Sequence, residues 1–499
     1  MRLFMPLYAD QRSLNLLAQS HATVFLIGGY DGNPNFGDIL QLIGVLRILS
    51  PYSPPCLTVA VIVELGRFES HQKIASVWEE QLKHVAVLFF ADPPSDIPEG
   101  LILAPTLSQS FTHILYLYGG GYVNQWWGPR KGAMVSAVAT WIEDSRRETS
   151  NFRVLVTGIQ ASEWIVTESN HLTAWLGRAP LLRCRDAQSV TTLRKIVGHV
   201  EIGPDDAMGP LLTDTLEQSP LSTQGSPLRI GLHLNVAYYS ASDRQDQFEF
   251  LVACFRQISA SRQISIVPIV AYEGEEVRES DTFEAFVKLI HDMGIKIEAV
   301  LNLSLGTSVP VLESLDNIVC CSYHVAMASC LSGIPTGLII RNAYYEQKLE
   351  GLQQWFDENI LVPLRWVPQA SSEDAIAMLH RLFSLNKKNN RMIRTTVGLQ
   401  VAAHVLAVRQ EVTEALLSAQ GKHLVEISKA YTDAAADAAR LRSLTGTFLN
   451  TAKEAAPSEQ ALKEQLAAIM NSQSWRFTAP CRKIGFMLKR FFRSNSIRD

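Results

Sequence analysis

The feature that most constrains the fold is a strand–helix alternation that occurs twice, with one aperiodic stretch between. In the first set, β-rich runs at Ala22–Gly28, Leu57–Val63, Val85–Phe90, His113–Tyr118 and Arg153–Gly158 alternate with helical stretches such as Phe36–Leu49, His71–Lys83 and Gly132–Asp144. In the second, runs at Arg229–Leu234, Gln263–Val270, Lys296–Asn302, Ile318–Cys321 and Thr336–Ile340 alternate with Gln247–Ile258, Thr282–Met293 and Glu346–Phe356. Parallel strands need a connection that travels back along the sheet, and a helix supplies it. The pattern therefore predicts an α/β chain of two Rossmann-like domains facing a cleft, with the C-terminal strand ends turned toward it. A length of 499 residues is also more than one ordinary core organises. The expected divisions are 1–214, a linker at 215–227 rich in Ser, Pro, Gln and Gly, a second α/β domain at 228–396, a helical segment at 397–470 and a tail at 471–499.

The C-terminal extension loses the strand signal. Leu417, Leu424, Ile427, Tyr431, Ala434, Ala438, Leu441 and Phe448 follow a 3-4 spacing. This fits a coiled-coil-like seam that would join copies into a homo-oligomer, and equally a helical layer folded back on the second domain. The net charge of −4 hides an asymmetry: residues 471–499 carry seven Arg/Lys against one acid, +6, which leaves −10 on the preceding 470. An acidic body gives no sign of nucleic acid as a partner. In the tail, Ile484, Met487, Leu488, Phe491 and Phe492 share one helical arc, with Arg482, Lys483, Lys489, Arg490 and Arg493 opposite. That reads as a helix for an anionic membrane surface, or one that docks on an acidic body. The seven cysteines form no pair at ligand spacing, so no metal site is expected, and their scatter suits a reducing compartment. With no signal peptide and no spanning stretch evident, the expected location is cytoplasmic, peripheral at the inner face of the cell membrane.

Four segments carry candidate chemistry. Gly28 to Asp38 (GGYDGNPNFGD) follows a strand and enters a helix, a junction where backbone N–H groups can meet an anion. Within it, Asp38 reads more readily as the helix cap than as a group that orients a substrate hydroxyl. Gly119, Gly120 and Gly121 form a turn that no side chain obstructs, followed by Trp126 and Trp127, which suit either a sugar face or a core. Arg183, Arg185 and Asp186, followed by Ser189, suit an anionic donor or a salt bridge, and Asp205-Asp206 reads mostly as turn chemistry. Ser322-Tyr323-His324 ends a strand and opens a helix, where a histidine can hold phosphate or move a proton.

Taken in order, these segments resemble the polysaccharide pyruvyl transferase family. The resemblance rests on Asn35-Phe36-Gly37-Asp38, the Gly119–Gly121 turn, Arg185-Asp186 with Ser189, Asp205/Asp206, and SYHVAMASCLSGIP at Ser322–Pro335. It implies transfer of pyruvate from phosphoenolpyruvate, as co-substrate and without a cofactor, to two hydroxyls of a sugar or lipid-linked oligosaccharide as a cyclic ketal. On that reading Arg185 and Arg341 hold the donor, His324 contacts its phosphate or acts as acid and base, and Asp38 orients the acceptor. Asn35, Gly37, Gly119, Gly120, Gly121, Asp186, Ser322 and Tyr323 complete the site. Many members carry Arg where this chain has Ser322. Residues 472–482 (SQSWRFTAPCR) also resemble a C-terminal element of bacterial surface-polysaccharide enzymes. The competing expectations are a GT-B-like glycosyltransferase using a nucleotide sugar and a non-catalytic scaffold of a polysaccharide assembly complex.

Overall fold

The computed structural model describes residues 6–418 apart from 53–55, 79–81, 92–95, 106–111, 146–150, 168–170, 214–226, 235–243, 274–277, 304–311, 366–371 and 388–389. All but the last residue of the expected linker lies outside the described residues. So do the tail and the coiled-coil series beyond Leu417.

The first sheet has ten strands. From one edge they run Glu201–Ile202, Leu181–Cys184, Asn151–Ala161, Thr112–Leu117, Ala22–Ile27, Thr58–Glu64, Val85–Phe90, Leu7–Ala9 and Ile102–Leu103, with Gly120–Val123 also paired to Asn151–Ala161. All pairings are parallel except those of Leu7–Ala9. The central runs are buried at every position because helices cover both faces. Phe25, Ile27, Leu115 and Leu117 pack with Met134 and Val138 of the Gly128–Ser145 helix on one face. On the other, Val24, Leu26, Val59 and Val61 pack with Leu42 and Val45 of the Phe36–Leu49 helix.

The second sheet has seven strands, all parallel. Its order is Lys296–Ile297, Ile264–Val270, Leu228–His233, Asn317–Cys320, Thr336–Ile340 and Leu361–Arg365, with Leu301–Asn302 also paired to Ile264–Val270. In each sheet the chain builds outward on one side of its first parallel strand and then crosses to the other. The reversal points lie between Ala22–Ile27 and Thr112–Leu117, and between Leu228–His233 and Asn317–Cys320. A crevice opens at such a point, where neighbouring connections leave in opposite directions. Here both crevices open onto the same space. The chain is thus two Rossmann-like domains facing a cleft, in a GT-B-like arrangement with a C-terminal helical extension.

That extension begins at Asn390, so the expected boundary at 397 falls inside a helix that runs to Ser418. It bridges the two domains. Val397 and Val401 join a core shared by Phe36, Leu40, Met208 and the Tyr323–Leu331 helix. Val408, Val412, Ala415 and Leu416 pack under the first sheet. Polar bonds fix the crossing: Arg409 Nε donates to the Ile48 carbonyl at 2.9 Å, and Arg153 meets Glu411 at 2.8 Å. Up to Ser418 the extension is therefore a folded-back layer, and it lies on both domains. Among the described residues, no helix is long and apolar enough to cross a membrane.

Gly44, mid-helix, marks how tightly the layers close, because a Cβ there would lie 2.0 Å from the Asp206 carbonyl oxygen. Gly44→Ala gains up to about 1 kcal/mol of helix propensity. Overpacking against a backbone that cannot retreat costs about 1–3 kcal/mol. The variant should therefore unfold at lower urea than the parent; a raised midpoint would show that the contact yields.

Candidate active site

The facing crevices enclose a cavity of about 310 Å³. Of the expected site residues, Asn35, Gly37, Asp38, Gly120, Gly121, Arg185, Ser322, Tyr323 and His324 line it. Gly119, Asp186 and Arg341 are not among its walls.

The first-domain wall starts from two glycine turns at adjacent strand ends. Gly29 N–H donates to the Gly119 carbonyl at 3.1 Å, which holds the turns together. Gly120 has φ 107°, a conformation that strains any residue with a Cβ. The Phe36–Leu49 helix follows the first turn, and its N-cap is Asn35, whose side chain accepts from Gly37 and Asp38 N–H at 3.0 and 3.3 Å. This corrects the capping expectation for Asp38, whose carboxylate is left to face the cleft. Burial pushes the Asp38 carboxyl up to about 6, against the opposing pull of the His324, Lys131 and Arg185 charges.

Beneath the turns lie two adjacent buried carboxylates. Asp205 accepts from Gln41 Nε2 at 2.9 Å, from Arg185 Nη1 at 2.8 Å and from Ala207 N–H at 2.9 Å, and His324 Nε2 stands 3.7 Å away. Burial opposes its charge, yet His324 and Arg185 hold its pKa below the ordinary carboxylate range. Asp206 accepts from Thr157 Oγ1 at 3.0 Å, from Gly119 N–H at 2.9 Å and from His404 Nε2 at 3.3 Å. The expected turn chemistry is present in the Ala207 N–H bond to Asp205, but the pair is also a hub that joins both domains and the extension.

The second-domain wall starts three strand ends. Ser322 caps the Tyr323–Leu331 helix, its Oγ accepting from Val325 N–H at 3.5 Å. His324 in that first turn lays its ring on Gly37, where a Cβ would come within 1.8 Å of Nδ1. A glycine in the first domain is therefore required by a histidine of the second. Phe36 N–H also donates to the Ala271 carbonyl across the cleft at 3.0 Å. Glu279 secures that loop by accepting from Ala271 and Tyr272 N–H at 2.7 and 3.0 Å. Its other oxygen meets His233 at 3.1 Å; burial opposes the imidazolium, but Glu279 raises its pKa to about 10.

The cations are arranged differently from the expected Arg185–Arg341 pair. Arg185 donates to Asp205 and, through Nη2, to Gln160 at 2.6 Å, and stacks 4.2 Å over Tyr323. Its five N–H donors are not exhausted by these bonds, and its surface reaches the cavity. Arg341 instead lies over the Tyr345 ring and donates to its hydroxyl at 2.7 Å. The amine on this wall is Lys348, 4.3 Å above the Tyr344 ring. Burial, then the nearby Arg185 and Arg341 charges, lower its pKa to about 7. Lys131 adds a second amine from the first domain, buried and 3.6 Å from Asp31. Asp186 caps the Ala187–Leu193 helix and accepts from Gln347 Nε2 at 3.0 Å, so it locks the domains together. Trp127 and Tyr344 close the rim, and Trp126 packs edge-on against both.

Sequence reasoning missed Gln41, Lys131 and Lys348. Each comes from a helix body rather than a strand-end motif. The signal for Lys348 was its i+4 spacing from Tyr344 on a helix that begins directly after a strand end.

No family model and no curated protein sequence matches the chain. Among solved structures it is similar to an Arabidopsis thaliana protein, UGT89C1 (11% identity, 84% of this chain and 99% of that one, TM-score 0.47). It is also similar to Anabaena HepE in complex with UDP and glucose (13%, 80% and 100%, 0.44). A third is UDP-GlcNAc 2-epimerase from Neisseria meningitidis bound to UDP-GlcNAc (8%, 79% and 99%, 0.44). At that distance the likeness concerns chain path, and the chemistry of the cleft is read from this chain's own residues.

The raised pKa of Asp38 has a consequence for stability. The folded state binds its proton more tightly than the unfolded chain, so stability falls as pH rises from about 4 to about 6 and stays lower above that. Asp38→Asn should therefore be more stable than the parent by about 1–3 kcal/mol at pH 8. The gain should vanish below pH 4, read from urea midpoints. An equal gain at both pH values would assign the effect to something other than ionisation.

Proposed function

We propose that the chain is a transferase that moves pyruvate from phosphoenolpyruvate onto two hydroxyls of one sugar of a bacterial surface polysaccharide or its precursor. The observation that carries this reading is the convergence of three helix N-termini on one small cavity, capped by Asn35, Ser322 and Asn342. Two amines, the buried Lys131 and the half-buried Lys348, and a guanidinium stand around it. Helix N-termini and cations together favour a compact, multiply charged anion.

The chemistry asks for a proton at the enol methylene, a base for each attacking hydroxyl and cations for the carboxylate and phosphate. Lys131, Lys348 and the remaining Arg185 donors hold the anionic groups, replacing the Arg185–Arg341 pair. His324 delivers the proton to the methylene, so that the adjacent carbon becomes electrophilic. The first sugar hydroxyl bonds to that carbon and loses its proton to Asp38. The second hydroxyl bonds to the same carbon as that carbon's C–O bond to phosphate breaks, and the hydroxyl proton returns to His324, so that phosphate leaves and the ketal closes. Asp38, with a pKa near 6, is ionised at neutral pH yet basic enough to accept a proton.

Incubation with phosphoenolpyruvate and sugar acceptors should release phosphate only when an acceptor is present, with a ketal appearing in the product. His324→Ala should lower that rate about 10²–10⁴-fold at an unchanged urea midpoint. If nucleotide sugars rather than phosphoenolpyruvate protect the cleft from proteolysis and yield product, glycosyl transfer replaces this reading. Turnover with neither donor would leave the scaffold.

The pH profile offers a second check. Asp38 acts ionised, above about 6, and Lys348 acts charged, below about 7, so kcat/KM for the donor should form a narrow bell. Lys348→Arg keeps its charge at every accessible pH. It should move the alkaline limb to higher pH; a limb that does not move belongs to another group.

A further inference from the structure

A second cavity of about 770 Å³ adjoins the cleft and is lined from both domains. The two share Asn33, Arg67 and Ala271 as walls, so they lie side by side. At this junction the Asn33 Oδ1 atom is buried with no hydrogen-bond partner. The half-buried Arg67 guanidinium stands at the same junction, its charge acting on Glu64. An orphaned acceptor near a guanidinium with donors to spare marks a place where a ligand with both kinds of group completes the bonding.

Beyond the junction the walls are mixed in character. Phe36, Phe68 and Trp78 present aromatic surface beside aliphatic side chains such as Ile39, Leu40 and Ile74, and Ser70, Lys73 and Asp96 share the same lining. A hydrocarbon chain would leave the buried Asn33 Oδ1 without a partner, which is unfavourable. A small charged metabolite would leave the aromatic surface unused. Sugar rings offer apolar C–H faces and hydroxyl edges in the same repeat, and match both. The cleft itself, at about 310 Å³, takes the reacting groups and one sugar.

We propose that this second cavity binds the preceding sugar units of an oligosaccharide acceptor. The chain passes Asn33 and Arg67, which places its terminal sugar in the cleft. The proposal rests on the transfer reading above for its kinetic consequence, but not for binding.

The test uses the full chain and fragments of one to four sugars made by mild hydrolysis of the host's own surface polysaccharide. In the phosphate-release assay, kcat/KM should rise about tenfold or more from the one-sugar to the four-sugar fragment, through KM. Trp78→Ala and Lys73→Ala should remove that gain and leave turnover of the one-sugar fragment unchanged. Lys73 is exposed, so its variant keeps the test intact if Trp78→Ala folds poorly. Calorimetry of the four-sugar fragment without donor reads the cavity apart from catalysis. If no phosphate is released but binding is still weakened by Lys73→Ala, the transfer reading fails and this inference stands. Phosphate release with no dependence on length overturns the inference. So does an equal gain from an alkyl chain attached to the single sugar.

Discussion

Two neighbouring carboxylates hold this structure together. Asp205 and Asp206 are almost completely buried, and an isolated charge in such a place is very costly. Apart from the local Ala207 N–H bond to Asp205, each is stabilised by groups that come from elsewhere in the chain. Gln41 arrives on the first long helix, Arg185 at a strand end, Thr157 inside a strand and Gly119 in a glycine turn. His324 comes from the second domain and His404 from the extension. Arg183 Nη1 lies 3.3 Å from His404 Nδ1, which leaves Nε2–H to donate to Asp206, and burial lowers the pKa of that imidazole, in keeping with a neutral ring. The bonds that shape the cleft are thus the same bonds that make the domain arrangement affordable.

The fold was legible where burial is complete. Parallel strands covered on both faces are continuous apolar runs, so Ala22–Ile27 and Val85–Phe90 stand out, and the Phe36–Leu49 helix matches its expected limits. Edges were not. Leu361–Arg365 contains Pro363, which only an edge position tolerates well. Leu181–Cys184 is four residues long and contains an arginine. Lys296–Asn302, expected as one strand, is two short pairings with the same neighbour.

The site was legible where a strand ends in a motif. The glycine turns and Ser322-Tyr323-His324 could be placed because chain direction forces strand ends to the cleft. What each side chain does there depends on its neighbours in the folded chain, near and far in sequence. Asn35 rather than Asp38 caps the helix, and that exchange leaves a carboxylate facing the cavity. Arg341 and Lys348 sit seven positions apart, yet only the lysine reaches the cavity. The contact that draws Arg341 aside is with Tyr345, four positions on, but which residue of this stretch faces the cavity is set by the folded wall.

The crossing helix also sets an order in time. His404 belongs to the last described element, whereas Asp206 and its other partners in the first domain precede it by some two hundred positions. A chain emerging from the ribosome can close the first sheet early, since domains fold as units during synthesis. Its central carboxylate must then wait, beside solvent, for both the second domain and the returning helix. The cleft is therefore finished only when nearly the whole described chain has been made, and a prematurely terminated product would carry the first sheet without its chemistry.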